Sequence, residues 1–252
     1  ALFEQLELEG RINHQTADVR NLAAVTESIQ AAQPDYVFHL AAQPLVRLSY
    51  EIPAETYETN VMGTIHVLEA LRTLEKPCMA VFITSDKCYE NREWLYGYRE
   101  EDALGGRDPY SSSKGAAGIA VSAWRRSFFS EHPVRIASAR AGNVIGGGDW
   151  AADRIVPDCI RALQENQPIT VRNPASTRPW QHVLEPLSGY LWLAALLASP
   201  HDAQIRPELL SSAFKFGPSH EANRTVRELV REVLKHWPGR YEDKSVAGGA
   251  VH

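Results

Sequence analysis

The chain holds only three cysteines in 252 residues, and Cys78, Cys88 and Cys159 are scattered without metal-ligand spacing. No metal site is expected from them. They read as reduced thiols of a cytoplasmic protein. A long basic run is also lacking, and the net charge is −5. Nucleic-acid binding therefore has no electrostatic footprint. The longest apolar stretch, "GYLWLAALLA" at 189–198, is too short to span a bilayer, so no membrane partner is expected. No signal peptide, internal repeat or low-complexity segment is visible. The chain opens on "ALFEQLELEG" with neither an initiator Met nor a first strand, and closes on "GGAVH". Truncation at both ends is the expectation.

What is present is ordinary for a globular protein: 44% hydrophobic and 23% charged residues. The length suffices for one large α/β domain, or a domain plus a small lobe. Residues 21–32 have helical spacing, with Leu22, Val25 and Ile29 on one face. "YVFHLAA" (36–42) is a continuous apolar run, which predicts a strand buried on both faces. A long helix is expected over 53–74, with Val61, Ile65, Leu68 and Leu71 inward. "CMAVFITS" (78–85) is the next strand, 86–108 a polar loop, and 108–129 a helix opened by Asp108-Pro109. "VRIASAR" (134–140) is a strand again. This α-β order predicts a doubly wound parallel sheet.

After "NVIGGGDW" (143–150) the texture changes. A helix near 153–165, a strand at 169–173, a polar stretch at 174–183, a helix at 186–198, a strand at 214–217 and a helix at 225–236 are expected. The domain expectation is 1–150 for the main α/β unit, and 151–252 for a smaller lobe with segments returning to the main sheet.

The chemistry concentrates where apolar runs stop. In a parallel sheet, ligands bind at the carboxyl ends of the strands. "HLAAQP" (39–44), "TSDK" (84–87) and "RAGN" (140–143) lie at such ends. "YSSSK" places Tyr110 and Lys114 one helical turn apart, on one face. A phenol ordinarily titrates near 10, and a neighbouring ammonium favours the phenolate. The pair is thus a device for abstracting a hydroxyl proton. His39, at the end of a buried strand, reads as a packed core histidine. Trp94, Trp150 and Trp180 read as packing residues, "GGG" at 146–148 as a turn, and "REE" at 99–101 as a solvated loop.

The stretches "DVR" (18–20), "HLAAQ" (39–43), "TNVMGT" (59–64), "ITSDKCY" (83–89), "YSSSK" (110–114) and "RAGNVIGGGDW" (140–150) resemble the extended short-chain dehydrogenase/reductases that act on nucleotide sugars. "TSDKCYENREW", "GNVIGGGDW" and "RPWQHVLEPLSGYL" (178–191) resemble the CDP-glucose 4,6-dehydratases among them. The resemblance implies a Rossmann-type fold whose first strand and Gly-rich loop, about 50 residues, precede this chain. It implies NAD as cofactor and CDP-glucose or a related nucleotide sugar as substrate. The implied reaction oxidises C4, eliminates water across C5–C6 and returns the hydride to C6.

By the same resemblance Tyr110 takes the C4 hydroxyl proton, Lys114 lowers its pKa and holds the nicotinamide ribose, and Ser85 hydrogen-bonds the C4 oxygen. Asp86 and Lys87 stand where the dTDP-glucose relatives have Asp and Glu. Lys87 is either a neutral base at C5 or a charged stabiliser of the enolate. Asp86, beside it, should titrate low, which opposes its acting as the acid. The cofactor contacts implied are Asp18 and Val19 at the adenine end, with Ala41, Ala42, Gln43, Asn60 and Thr84. The substrate contacts implied are Asn143, Arg178 for the diphosphate, His182 and Arg47. The helices 55–74 and 110–128 resemble the pair that forms a homodimer in this superfamily; the plain alternative is that both merely cover the sheet. Two rival readings stay open: another nucleotide-sugar dehydratase or 4-epimerase on the same fold, and a non-catalytic subunit that binds a nucleotide sugar or a partner.

Overall fold

The computed structural model describes residues 2–199 and 207–245. In chain order its main elements are helix α1 (Leu22–Ala32), strand β1 (Tyr36–His39), helix α2 (Val46–Glu51) and helix α3. Helix α3 runs from Pro53–Tyr57 through a π-helical turn, Glu58–Met62, into Gly63–Leu71. There follow β2 (Cys78–Ile83), α4 (Pro109–Ser127), β3 (Val134–Ala141), β4 (Val144–Ile145), α5 (Ile155–Gln164), β5 (Ile169–Val171), β6 (Thr177–Pro179), β7 (Gln181–His182) and α6 (Leu184–Ala198). The last are β8 (Ala213–Phe216), β9 (Asn223–Thr225), α7 (Val226–His236) and β10 (Tyr241–Asp243).

The described residues divide into two compact units. The larger takes 14–142 and 185–216, the smaller 2–13, 143–184 and 217–245. In the larger unit, alternation along the strands builds the core. Cys78, Ala80 and Phe82 of β2, with Val134 and Ile136 of β3, face one cluster with Leu68 and Leu71 of α3 and Val121 of α4. Met79, Val81, Ala137 and Ala139 face the opposite cluster with Tyr190, Leu193 and Leu197 of α6. The sheet order is β1-β2-β3-β8, all parallel. Helices on both faces of a parallel sheet make this a doubly wound, Rossmann-type α/β fold.

Several expectations need correction. Strand β1 ends at His39 rather than reaching 42, and Tyr36 is 48% exposed. Among the described residues β1 is an edge strand, and its two faces are covered as expected but only in part: Val37 packs on one cluster and Phe38 on the opposite one, both half-buried. Leu22 is exposed, while Val25 and Ile29 pack on the core as expected. The helical region starts earlier, at Val46, with a break at Ile52 where the backbone leaves helical angles. Val61 and Ile65 are only half-buried; Leu68 and Leu71 are fully buried.

The smaller unit has its own core: Cys159, Leu163, Ile169, Val171 and Val230, from α5, β5 and α7. Strands β5 and β10 pair in parallel, β4 and β7 in parallel, and β6 and β9 antiparallel. β4, β6, β7, β9 and β10 have two or three residues each and carry no periodic signal in sequence. Helix α7 opens on a capping box between Thr225 and Glu228.

Candidate active site

The apolar run of β2 stops because Thr84 and Ser85 turn the chain over the sheet end. The Thr84 N–H donates to the Ala139 carbonyl at 2.8 Å. Ser85 is extended and caps a 3₁₀ turn, Asp86–Cys88, its Oγ accepting the Lys87 N–H at 3.2 Å. The Ser85 hydroxyl also lies 3.3 Å from Asp86 Oδ1. Ser85 is buried, Asp86 half-buried and Lys87 exposed.

Helix α4 begins beside this turn. Asp108 caps it, accepting the Ser111 N–H at 2.9 Å, and Pro109 occupies its first turn. Two glycines set the approach of the preceding loop. Gly106 has φ +138°, and a Cβ there would lie 2.3 Å from the Ser112 nitrogen. A Cβ on Gly115 would lie 2.6 Å from the Gly105 carbonyl oxygen and 3.1 Å from that of Cys88. Only glycine lets the chain after the 3₁₀ turn lie this close to the helix. The close packing carries Tyr110 and Lys114 to the strand ends.

Tyr110 is 9% exposed, and its N–H donates to the hydroxyl of the fully buried Ser49 on α2 at 3.2 Å. Lys114 is 6% exposed, and its ammonium reaches the carbonyl of Ile83, the last residue of β2, at 3.4 Å. Burial pushes the Lys114 ammonium down to about 8; the nearby Cys88 pulls the other way. Burial, then the Lys114 charge, pushes His39 down to about 4. His39 Nε2 lies 3.1 Å from Thr64 Oγ1, and the ring packs edge-on against Phe82, as expected of a core histidine. Burial also lifts the Cys88 thiol to about 11.

The π turn of α3 holds Asn60. Asn60 is 1% exposed, accepts the Gln43 N–H at 2.8 Å, and donates to the Gln43 carbonyl at 3.1 Å and to Ser113 Oγ at 2.9 Å. One buried side chain thus ties the loop after β1 to the helix that carries Tyr110. Such turns recur at functional sites. The Gln43 side chain is turned inward to Leu45 and Thr56. Ala41 is exposed and Ala42 half-buried.

Asp18 is exposed, and its carboxylate receives both the backbone N–H and the guanidinium of Arg20, which holds it below the usual carboxylate range. Val19 packs on Gly63, and its carbonyl lies 3.1 Å from His66 Nδ1. A cleft of about 240 Å³ lies beside them, lined by Asp18, Val19, Val25, Phe38 and His39 among others. Arg47 is exposed on α2.

The remaining expected residues belong to the smaller unit. The Asn143 carbonyl accepts the Gln181 N–H at 3.1 Å. Arg178, on β6, donates to Ser176 Oγ at 2.5 Å and to the Thr177 carbonyl at 2.8 Å. His182 is exposed, and its Nδ1 accepts the Leu184 N–H at 3.2 Å. Trp180 donates to the Arg224 carbonyl at 3.3 Å. Gly148, in the triple-glycine turn, has φ +79° and lies against Leu2.

One group escaped the sequence reading. Glu100 is not part of a solvated loop: its carbonyl accepts from Arg140 at 2.9 Å and its carboxylate from the Lys215 N–H at 2.8 Å. The signal was present in "VRIASARAG", where parity places Arg140 on the same buried face as Ile136 and Ser138.

The parallel sheet, with polar residues at its strand ends and a buried Tyr-x-x-x-Lys pair, defines a Rossmann-type α/β chain with ionisable groups gathered at the carboxyl edge of the sheet. The GDP-mannose 4,6 dehydratase family matches residues 2–207, and the chain belongs to that family. Over 242 residues it is 49% identical to a CDP-glucose 4,6-dehydratase of Salmonella typhimurium, covering 94% of this chain and 66% of that relative. The chain therefore spans slightly less than two thirds of that relative's length. In fold it resembles a UDP-glucuronic acid 4-epimerase from Bacillus cereus, with TM-score 0.77 and 20% identity over 98% of this chain and 73% of the other. It also resembles the epimerase Mth375 of Methanothermobacter thermautotrophicus, with TM-score 0.77 and 19% identity over 92% and 66%.

Proposed function

We propose that this chain carries the catalytic residues of an NAD-dependent lyase that dehydrates CDP-D-glucose to CDP-4-dehydro-6-deoxy-D-glucose. The observation that carries the reading is the buried Tyr110 and Lys114 pair beside the turn that bears Ser85, Asp86 and Lys87. Its support from relatives is the 49% identity to the Salmonella dehydratase.

The residues fit a nicotinamide cofactor. The Lys114 ammonium has three donors, and among the described residues its hydrogen bond is one of 3.4 Å to Ile83. Its other protons suit a ribose diol. The residues proposed to meet the cofactor are Lys114 and Tyr110, with Thr84, Asn60, Gln43, Ala42 and Ala41 at the strand ends and Val19 and Asp18 toward its adenine end. When bound, NAD supplies the acceptor and later the donor of one hydride. Tyr110 takes the C4 hydroxyl proton, helped by the adjacent ammonium. Ser85 hydrogen-bonds the C4 oxygen and so favours the ketone, which acidifies C5. Asp86 can give a proton to the departing C6 hydroxyl only from its neutral form, which covering by the bound substrate favours against the neighbouring Lys87 charge. Lys87 is exposed, so burial within this chain does not desolvate it. The C5 proton needs an acceptor: Lys87 takes it as the free amine once the bound substrate covers it, and the ammonium so formed stabilises the enolate.

Asn143, Arg178 and His182 are proposed for the nucleotide sugar, with Arg178 on the diphosphate and Arg47 at the sugar side. Helices α3 and α4 expose Tyr57, Met62 and Ile119, which supports their pairing with a second copy. The cytoplasm is the proposed location.

The test is incubation of the chain, extended by the upstream segment that the resemblance implies, with CDP-glucose and NAD+, followed by the alkaline absorbance of a 4-keto-6-deoxy sugar. Product from CDP-glucose is expected. Product only from the dTDP or UDP sugar would overturn the substrate assignment, and a 4-epimer would overturn dehydration.

A further inference from the structure

Arg140 ends β3 in register with Lys215 of β8, so two cations sit side by side on one face of the sheet. Arg140 is 4% exposed. Burying a guanidinium is costly unless its donors are met. Its NH1 donates to the Tyr89 hydroxyl at 2.7 Å and the Glu100 carbonyl at 2.9 Å, yet its Nε has no partner among the described residues. An apolar side chain would fill the same space without that cost, so the charge calls for a reason.

The reason lies in what it holds. Tyr89 is the residue that ends the Asp86–Cys88 turn, and it is 3% exposed. Its ring takes the Arg140 guanidinium at 5.0 Å and the Lys215 ammonium at 5.6 Å. Tyr98 stacks on Tyr89 at 5.3 Å, and Lys215 donates to the Tyr98 carbonyl at 3.0 Å. The two cations therefore clamp both ends of the 89–100 segment onto the sheet. We propose that Arg140, with Lys215 beside it, is a positioning residue that fixes the Asp86-Lys87 turn through Tyr89. This rests on the dehydratase reading for its catalytic consequence but not for its structural one.

Two readouts separate these. Hydrogen exchange of the amides of residues 86–90 needs no activity: Arg140→Met should speed it while leaving β2 and β3 protected. Unchanged exchange would overturn the clamp whatever the enzyme does. With CDP-glucose, Arg140→Met should lower kcat roughly 10- to 100-fold, the scale of a misplaced catalytic group, with KM within about twofold. Deuterium at C5 should slow the variant more than the parent, because elimination becomes limiting. The loss should largely vanish in a Lys87→Met background, since both changes act on one step. An equal loss in that background, with no change in the C5 isotope effect, would mean general scaffolding and overturn the proposal. Tyr89→Phe conserves volume and should show the same signature at a few-fold, which keeps the test open should Arg140→Met fold poorly. A parent protein without dehydratase activity overturns the functional reading alone; the exchange experiment still decides the clamp.

Discussion

Lys114 in the larger unit and Arg178 in the smaller are both cations, and they are held in opposite ways. Lys114 is 6% exposed, carried by one long helix to the carbonyl end of a strand far away in the chain. Arg178 is half-buried and hydrogen-bonds its own neighbours, Ser176 and Thr177. Burial in the first case changes the chemistry of the group. Local backbone in the second only aims it. In the larger unit packing moves the titration of the cation, and in the smaller short-range hydrogen bonds orient it.

The largest expected effect tests whether reactivity resides where packing is tightest. Tyr110→Phe should lower kcat by about 10²- to 10⁴-fold, the range for loss of a general base. The fold should be kept, because the backbone bond to Ser49 and the ring's packing stay. Retained turnover within tenfold would remove Tyr110 from the base role.

Next comes the cost of the buried ammonium. The folded pKa of Lys114 is about 8, below its ordinary value of 10.5. Between those values the unfolded chain holds a proton that the folded one has released, so this group makes stability rise with pH. Below about 8 both states are protonated and the full cost, up to roughly 3 kcal/mol, is present. Lys114→Met should therefore be more stable than the parent at pH 7, by an amount that shrinks toward pH 10, while activity is lost. Urea unfolding at both pH values measures it. A constant difference would contradict desolvation as the cause. Arg178→Met, by contrast, should change stability by no more than about 0.5 kcal/mol at either pH.

The smallest effect belongs to the smaller unit. Thr225→Ala removes the cap of α7 and should cost about 1 kcal/mol there, by thermal unfolding, without altering Tyr110-dependent turnover. A large change in kcat would mean that the two units do not keep these roles apart.

Much of the larger unit was legible in advance. The apolar run 78–83 is a strand because six consecutive residues suit burial on both faces, and Asp108-Pro109 opens a helix through its cap. The Tyr110 and Lys114 spacing needed no tertiary information either. The apolar run at 36–42 named a real strand but overstated its length and its burial, because composition reports what a strand could bury and not where it stands in a sheet. The very short strands of the smaller unit escaped because two or three residues show no period. Glu100 looked solvated because its partners, Arg140 and Lys215, are distant in sequence.

Strand ends, helix caps and the Tyr-x-x-x-Lys turn are properties of neighbouring residues, and backbone geometry with short-range hydrogen bonding suffices to set them. The desolvation of Lys114, the bond network of Asn60 and the pairing of Arg140 with Lys215 are different. Each depends on how much water and how many charges many other residues remove or supply. A linear chain carries no such quantity until it has packed.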